Sequence, residues 1–192
     1  MARRSDHTAE ELKTLAIDKA IEIIDTSGLA GLSARRVTAA MGYTVGTLYH
    51  AFGDLETFLL HVNARILDEW YQDLQAGLKR SRKDPLLYLT DSYLAYARRH
   101  RDRWVMLFSD GGSDAPRPMP PWYAEKIPRL FHLLENALRP HLAAGEDPAD
   151  TARLLWASIH GICVLSLTGK LDITGASKPE KLIDMLLGRV VL

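Results

Sequence analysis

Two short helical segments set three residues apart constrain the fold of this chain more than any other feature. Ser33 stands in the N-cap position ahead of "ARRVTAAM", Gly42 follows as a stop, and Thr44 caps a second segment that ends near His50 or Ala51. Upstream, Thr8 and Glu11 form a T-x-x-E capping box, and Leu12, Leu15, Ala16, Ala20, Ile23 and Ile24 recur at helical spacing up to Gly28. That predicts a first helix over about residues 9–27, joined to the pair by "LAGL". Asp54 caps a long fourth helix through Phe58, Leu59, Val62, Ile66 and Trp70 toward Lys79. Then come "LLYLTDSYLAYARRH", the shorter "RWVMLFS", and helices over about 122–138, 148–169 and 178–191. The one long loop is "DGGSDAPRPMPP", too rich in glycine and proline for a regular element. No alternating strand pattern competes, so the chain reads as all-α with about nine helices.

At 192 residues, 47% apolar and 25% charged, the chain is long and apolar enough to bury a good core. It holds no run of about twenty apolar residues, and "MARRSDHTAEELK" leads into an amphipathic helix instead of a signal-peptide core. A cytoplasmic protein with no membrane partner is expected. The single Cys163 has no disulfide partner and no neighbour at metal-ligand spacing, so neither a disulfide scaffold nor a metal site is expected, and no cofactor is implied. The formal net charge of zero gives no global sign of a polyanionic partner.

Helix, tight turn, helix is nevertheless the geometry that sends a second helix into the DNA major groove while the first helix and its flanks hold phosphates. The chemistry of the second helix fits. Thr44 and Thr47 offer hydroxyls, the backbone N–H groups of its first turn suit an anion, and Tyr49 and His50 extend the same surface. Gly46 costs that helix roughly 1 kcal/mol against alanine, and in return lets the backbone approach DNA closely.

The run "LSARRVTAAMGYTVGTLYHAFGDLETFL" resembles the helix-turn-helix and the start of helix four of the tetracycline-repressor family of bacterial transcription regulators. The resemblance implies that Ser33 and Arg35 face phosphates, that Thr44, Val45, Gly46 and Thr47 lie at the groove, and that Tyr49 and His50 meet the DNA backbone. It also implies that Leu48 and Phe52 are core residues. It divides the chain into a DNA-binding domain over 1–53, extending to about 62, and a helical ligand-binding and dimerisation domain over 54–192. Two departures bear on grip. Leu55 stands where the family commonly has a phosphate-binding lysine, next to the negative Asp54. Up to residue 62, Arg3, Arg4, Lys13, Lys19, Arg35 and Arg36 are outnumbered by Asp6, Glu10, Glu11, Asp18, Glu22, Asp25, Asp54 and Glu56. Weak nonspecific binding and a shallow salt dependence are expected, with Arg3 and Arg4 as a flexible arm.

In "ARLLWASIHGICVLSLTGKLD", Trp156, His160 and Gly161 resemble the W-x-x-x-H-G signature of one class of carboxy-terminal domains in that family. The resemblance implies a homodimer through the last two helices, with Ala157, Ser158 and Gly161 allowing close approach and Leu165, Ile183, Leu186 and Leu187 supplying apolar area. Two heads would then meet the half-sites of a pseudo-palindromic double-stranded operator. The effector candidates, Tyr93, Trp104, Phe108, Trp122, Phe131, Trp156 and His160, suit a small apolar or aromatic compound, with 110–121 as an entrance or a linker. His160 alone reads as a buried hydrogen-bonded histidine, a ligand contact or a metal ligand, and Cys163 as small core packing. The basic runs at 79–83 and 98–103 read as helix-end charges. The leading expectation is a DNA-binding transcriptional regulator, a repressor released by its effector, and no enzyme. The alternatives are a ligand-independent regulator or adaptor, or a helical enzyme using His160 with Cys163 or His132 with Glu135.

Overall fold

The computed structural model describes residues 7–108, 118–176 and 178–190, and every regular element among them is helical. The long elements are α1 (Ala9–Ser27), α2 (Ala34–Met41), α3 (Val45–Phe52), α4 (Leu55–Arg80), α5 (Pro85–Arg99) and α6 (Arg101–Leu107). They are followed by α7 (Pro121–Ala124), α8 (Lys126–Leu138), α9 (Pro148–Leu167), α10 (Lys170–Ile173) and α11 (Pro179–Val190). Tight helical turns at Leu29–Gly31 and Arg139–His141 complete the set. The helix expected over 122–138 is two, and Pro128 explains the break: its ring excludes the carbonyl four residues back, that of Ala124, where α7 stops. Gly169, in the left-handed region at φ 69°, follows the C-cap Thr168 of α9 and is the N-cap of the short α10. Most of the loop expected over 110–121 lies outside the described residues, as do Arg3 and Arg4.

By its own contacts the chain divides into two compact units. The first combines residues 1–68 with 102–123, and the second combines 69–101 with 124–192. In the first, Thr8 and Glu11 close the expected capping box, with Glu11 Oε2 accepting from Thr8 N–H at 2.7 Å. Ala16, Ala20 and Ile24 of α1, Val37 of α2, Leu48 and Phe52 of α3, and Phe58 and Val62 of α4 supply its core. Residues from α6 are bolted to this core. Asp102 Oδ1 accepts from Leu29 N–H at 3.2 Å, Arg103 grips Asp25 with two hydrogen bonds, and Asn63 Nδ2 donates to the Met106 carbonyl at 3.4 Å.

In the second unit Asp84 and Asp147 cap α5 and α9, each followed by a proline that needs no N–H partner. Leu86, Leu89 and Leu94 of α5 are buried with Leu138 of α8, Leu155, Ile159 and Cys163 of α9, and Ile183 and Leu187 of α11. An ion pair between Arg98 and Glu180 ties α5 to α11, and His141 Nε2 lies 3.1 Å from Asp84 Oδ2. The basic run at 98–103 is therefore split. Arg98 serves the second unit, whereas Arg103 serves the first through Asp25, a role beyond a helix-end charge.

Candidate nucleic-acid interface and aromatic cluster

The turn between α2 and α3 is made by Gly42, in the left-handed region at φ 75° and ψ 24°, where a side chain would be strained. Its N–H and that of Tyr43 bond back to the last turn of α2, which fixes the angle at which α3 leaves. Eight residues are too few for a helix to stand alone, so α3 depends on its inner face, Leu48 and Phe52, both buried. Around them, Thr44, Gly46, Tyr49 and His50 are exposed and Val45 and Thr47 half-exposed. All six residues expected to meet DNA from α3 and its cap are thus exposed or half-exposed.

Thr44 departs from expectation in one respect. It occupies the N-cap position, but its hydroxyl lies 3.0 Å from that of Thr47 and makes no capping bond. The first-turn N–H groups of Val45 and Gly46 consequently have no acceptor among the described residues, and the helix dipole adds positive potential there. A β-carbon added at Gly46 would meet only Thr44 Oγ1, at 3.8 Å, so nothing inside the chain requires glycine at that position.

On α2, Ser33 Oγ accepts from Arg36 N–H at 3.3 Å and is the N-cap. Arg35 is exposed with no partner among the described residues, while Arg36 folds back onto Ser27 Oγ at 2.7 Å and the Gly31 carbonyl at 3.4 Å. Of two adjacent arginines, one is left to face outward. At the start of α4, Leu55 is 39% exposed and Asp54 is the N-cap, accepting from Thr57 N–H at 2.7 Å. One contact escaped the sequence reading: His7 Nδ1 is hydrogen-bonded to the Tyr43 hydroxyl at 2.8 Å. Nothing in local pattern links residues 36 positions apart.

The seven aromatic and histidine candidates fall into two groups, one in each unit. In the second unit Tyr93 Oη and His160 Nδ1 are 2.8 Å apart, Trp156 lies 5.5 Å from His160 ring to ring, and Phe131 meets Trp156 edge-on at 5.5 Å. The row continues through Tyr93 to the buried Trp70, which is stacked on Tyr96 at 4.4 Å. Nothing in the sequence sets Trp70 of α4 and Tyr96 of α5 apart from ordinary core. Arg153 covers Phe131 at 5.2 Å and pairs with Glu135 at 3.0 Å. Trp104, Phe108 and Trp122 belong to the first unit instead. Trp104 is buried beside Phe108, and Trp122 stacks on His61 at 4.4 Å, whose edge contacts Phe52 at the foot of α3.

Burial lowers the pKa of His160, which favours the uncharged imidazole, and its Nδ1 shares a hydrogen bond with the Tyr93 hydroxyl. Burial also pushes the Cys163 thiol up to about 12, which leaves it protonated and without nucleophilic character. The His132 ring lies 3.9 Å from Glu135, whose carboxylate is already engaged by Arg153.

The outer face of α9 carries Leu154, Ala157, Gly161 and Val164, with Leu154 60% exposed and Gly161 open to a β-carbon for 4 Å around. Met185 of α11 is 49% exposed. Ile183 and Leu187, expected at a subunit interface, instead fill the unit's own core at 3% and 5% exposure, because they face α9 of the same chain. No helix among the described residues is long and apolar enough to cross a membrane.

Comparison with known proteins completes the picture. A family model described as the tetracyclin repressor-like, C-terminal domain matches residues 86–190. An uncharacterized HTH-type transcriptional regulator of Mycobacterium tuberculosis is 25% identical over 159 residues, 81% of this chain and 70% of that protein. Among solved structures, a protein of unknown function from Rhodococcus sp. RHA1 shares the fold with a TM-score of 0.73 at 17% identity, covering 98% of this chain and 97% of that one. A TetR-family transcriptional regulator from Pectobacterium atrosepticum does so with a TM-score of 0.69 at 22% identity, covering 100% and 98%.

Proposed function

The chain belongs to the tetracyclin repressor-like family, DNA-binding transcriptional regulators that respond to small ligands, and on that premise we propose how this member reads DNA and what releases it. We place α3 in the major groove, with Thr44, Val45, Gly46 and Thr47 toward base edges and Tyr49 and His50 on the flanking phosphates. Ser33 and Arg35 hold phosphate from the start of α2. The observation that carries this is the division of α3 into a fully buried inner side at Leu48 and an outer side of hydroxyls, ring groups and bare backbone. Val45 and Gly46 N–H, unaccepted within the chain, suit a phosphate oxygen. The functional division follows as a reading domain over 1–53, extending to about 62, and a sensing and pairing domain over 54–192.

The effector seat is the row Tyr93, Phe131, Trp156 and His160. Half-buried rings with one neutral hydrogen-bonding pair favour a small apolar or aromatic compound with a single polar group. Binding there favours the conformation whose heads no longer fit the operator, so the chain represses until the effector arrives. In this reading W-x-x-x-H-G marks the helix that serves both seat and partner: Trp156 and His160 face the rings, while Gly161 lies on the outer face. A second copy covers that face, making a cytoplasmic homodimer that spans a pseudo-palindromic operator.

The test is direct. A duplex selected by the chain from fragments of its source genome should lose all selective binding with Thr47→Ala or Tyr49→Ala, while light scattering shows the assembly unchanged. If selective binding survived both substitutions, α3 would not be the reading helix. Screening apolar and aromatic compounds for release of that duplex then identifies the effector, and Trp156→Ala should abolish the release without weakening DNA binding.

A further inference from the structure

The row of rings in the second unit ends, at Phe131, beneath a charged group. The Arg153 guanidinium carbon lies over the Phe131 ring, 5.2 Å from its centre. From there Phe131 meets Trp156 at 5.5 Å and Trp156 meets His160 at 5.5 Å, all three rings half-buried. At the inner end the polar atoms are already joined to each other, with Tyr93 Oη and His160 Nδ1 2.8 Å apart.

Among the described residues, one nitrogen of the Arg153 guanidinium is engaged. Nη1 donates to Glu135 Oε1 at 3.0 Å and to the Ala149 carbonyl at 2.6 Å, whereas the N–H groups of Nε and Nη2 have no acceptor there. Nε and Nη2 share one edge of the planar fork, and a carboxylate matches that edge with both of its oxygens. The cation and its counter-charge also differ in access. The Arg153 side chain is 53% exposed and that of Glu135 12%. A molecule arriving at this end of the row therefore meets the guanidinium before the carboxylate. Beside Glu135, at 3.9 Å, stands His132, which brings no further negative charge.

Resting on the reading of this row as the effector seat, we infer that Arg153 is its specificity-determining residue and that the effector's polar group is a carboxylate. The two oxygens of the acid accept from Nε and Nη2, and its apolar or aromatic body lies along Phe131 and Trp156 toward the Tyr93–His160 pair. Glu135 is a positioning residue: by holding Nη1 it keeps the fork over Phe131 and leaves the other edge open. A cationic head group would face the guanidinium as a like charge, and a neutral one would forgo the charge-assisted pair.

The experiment measures Kd by calorimetry on the full chain for a phenylpropyl and an octyl body, each carrying an acid, an alcohol or an amine. The probes are phenylpropanoate, phenylpropanol and phenylpropylamine, and octanoate, octanol and octylamine. Both acids should bind about tenfold or more tighter than their alcohols, with the amines weakest. Arg153→Gln should bring acid and alcohol to the same Kd, and Arg153→Lys, which keeps the charge without the fork, should retain only part of the preference. Because Arg153→Gln leaves Glu135 without its cation, Glu135→Gln with Arg153→Gln is measured too and should show the same loss. Alcohols that bind the unaltered chain as tightly as the acids would overturn the proposal. So would a preference for acids that survives in the paired variant. Trp156→Ala separates the two readings, since it should weaken acid and alcohol alike. If it left every Kd unchanged, or if no probe bound, the seat and this proposal would fall together, whereas the other two results, seen while Trp156→Ala still weakens binding, overturn this proposal alone.

Discussion

Gly46 and Gly77 both sit inside helices, where each costs roughly 1 kcal/mol against alanine, but for opposite reasons. A β-carbon at Gly77 would lie 1.6 Å from Tyr88 Oη and 2.4 Å from its Cζ, so Tyr88 packs on the bare backbone of α4. At Gly46 the space is open. Gly46→Ala should therefore raise the midpoint of thermal unfolding, by the equivalent of up to about 1 kcal/mol, while weakening binding to the selected duplex by about tenfold or more. Unchanged affinity would show that the groove does not need bare backbone there. Gly77→Ala should act the other way, lowering stability in urea by about 1–3 kcal/mol as Tyr88 is displaced. Sequence singled out Gly46 through its neighbours Thr44 and Thr47, but the reason for Gly77 is a contact across two helices and leaves no local trace. Arg35 and Arg36 teach the same lesson: adjacent and identical, they are told apart only by Ser27 and Gly31, which engage one of them.

At the scale of elements, Thr8, Ser33 and Asp54 cap helix starts as their place beside an apolar run predicts, whereas Thr44 makes no capping bond. Asp84 and Asp147, ahead of Pro85 and Pro148, cap α5 and α9 in the same way. Ends finished from a distance were hidden. The turn at Leu29–Gly31 and α6 are too short to be self-sufficient, and they are completed by Asp102, 73 positions from Leu29, and by Asn63, 43 positions from Met106. Those bonds, with Arg103 on Asp25, group 102–123 with the amino-terminal helices, and no shift in composition marks that boundary. Within α9, His160 gives a titration that can be followed. Burial holds its folded-state pKa below the ordinary 6.5. As pH falls through 6.5 the unfolded chain binds a proton that the folded chain refuses, so stability declines there and levels off once the folded value is passed. His160→Gln, which keeps a hydrogen-bonding group beside Tyr93, should flatten that part of the curve in urea titrations run at a series of pH values. A decline as steep in the variant as in the unaltered chain would assign it to other groups.

For the whole molecule, the decisive element is α9, apolar on two sides. Ala152, Leu155, Ile159 and Cys163 face the core of the chain's own unit, and Leu154, Ala157, Gly161 and Val164 recur at spacings of three, four and three on the outside. The second spacing is that of a coiled-coil seam, and a helix apolar on nearly all sides is a buried one. In a single chain that seam is uncovered. Sequence showed that α9 is apolar but not which stripe the chain would use for itself, which is why Ile183 and Leu187 were read as interface and Leu154, Val164 and Met185 were not. Gly161 separates folding from pairing. Its β-carbon would touch nothing within 4 Å in the single chain, so Gly161→Trp leaves the unit free to fold while placing a large ring on the face proposed for a second copy's α9. Light scattering should then give the monomer mass with unchanged helical circular dichroism. Binding to the selected duplex should fall far more than any loss of a head contact explains, because two half-sites held by one dimer gain from effective concentration and two separate heads do not. If Gly161→Trp stayed dimeric at the same protein concentration, the second copy would pair elsewhere, and the half-site geometry of the operator would have to be derived from another face.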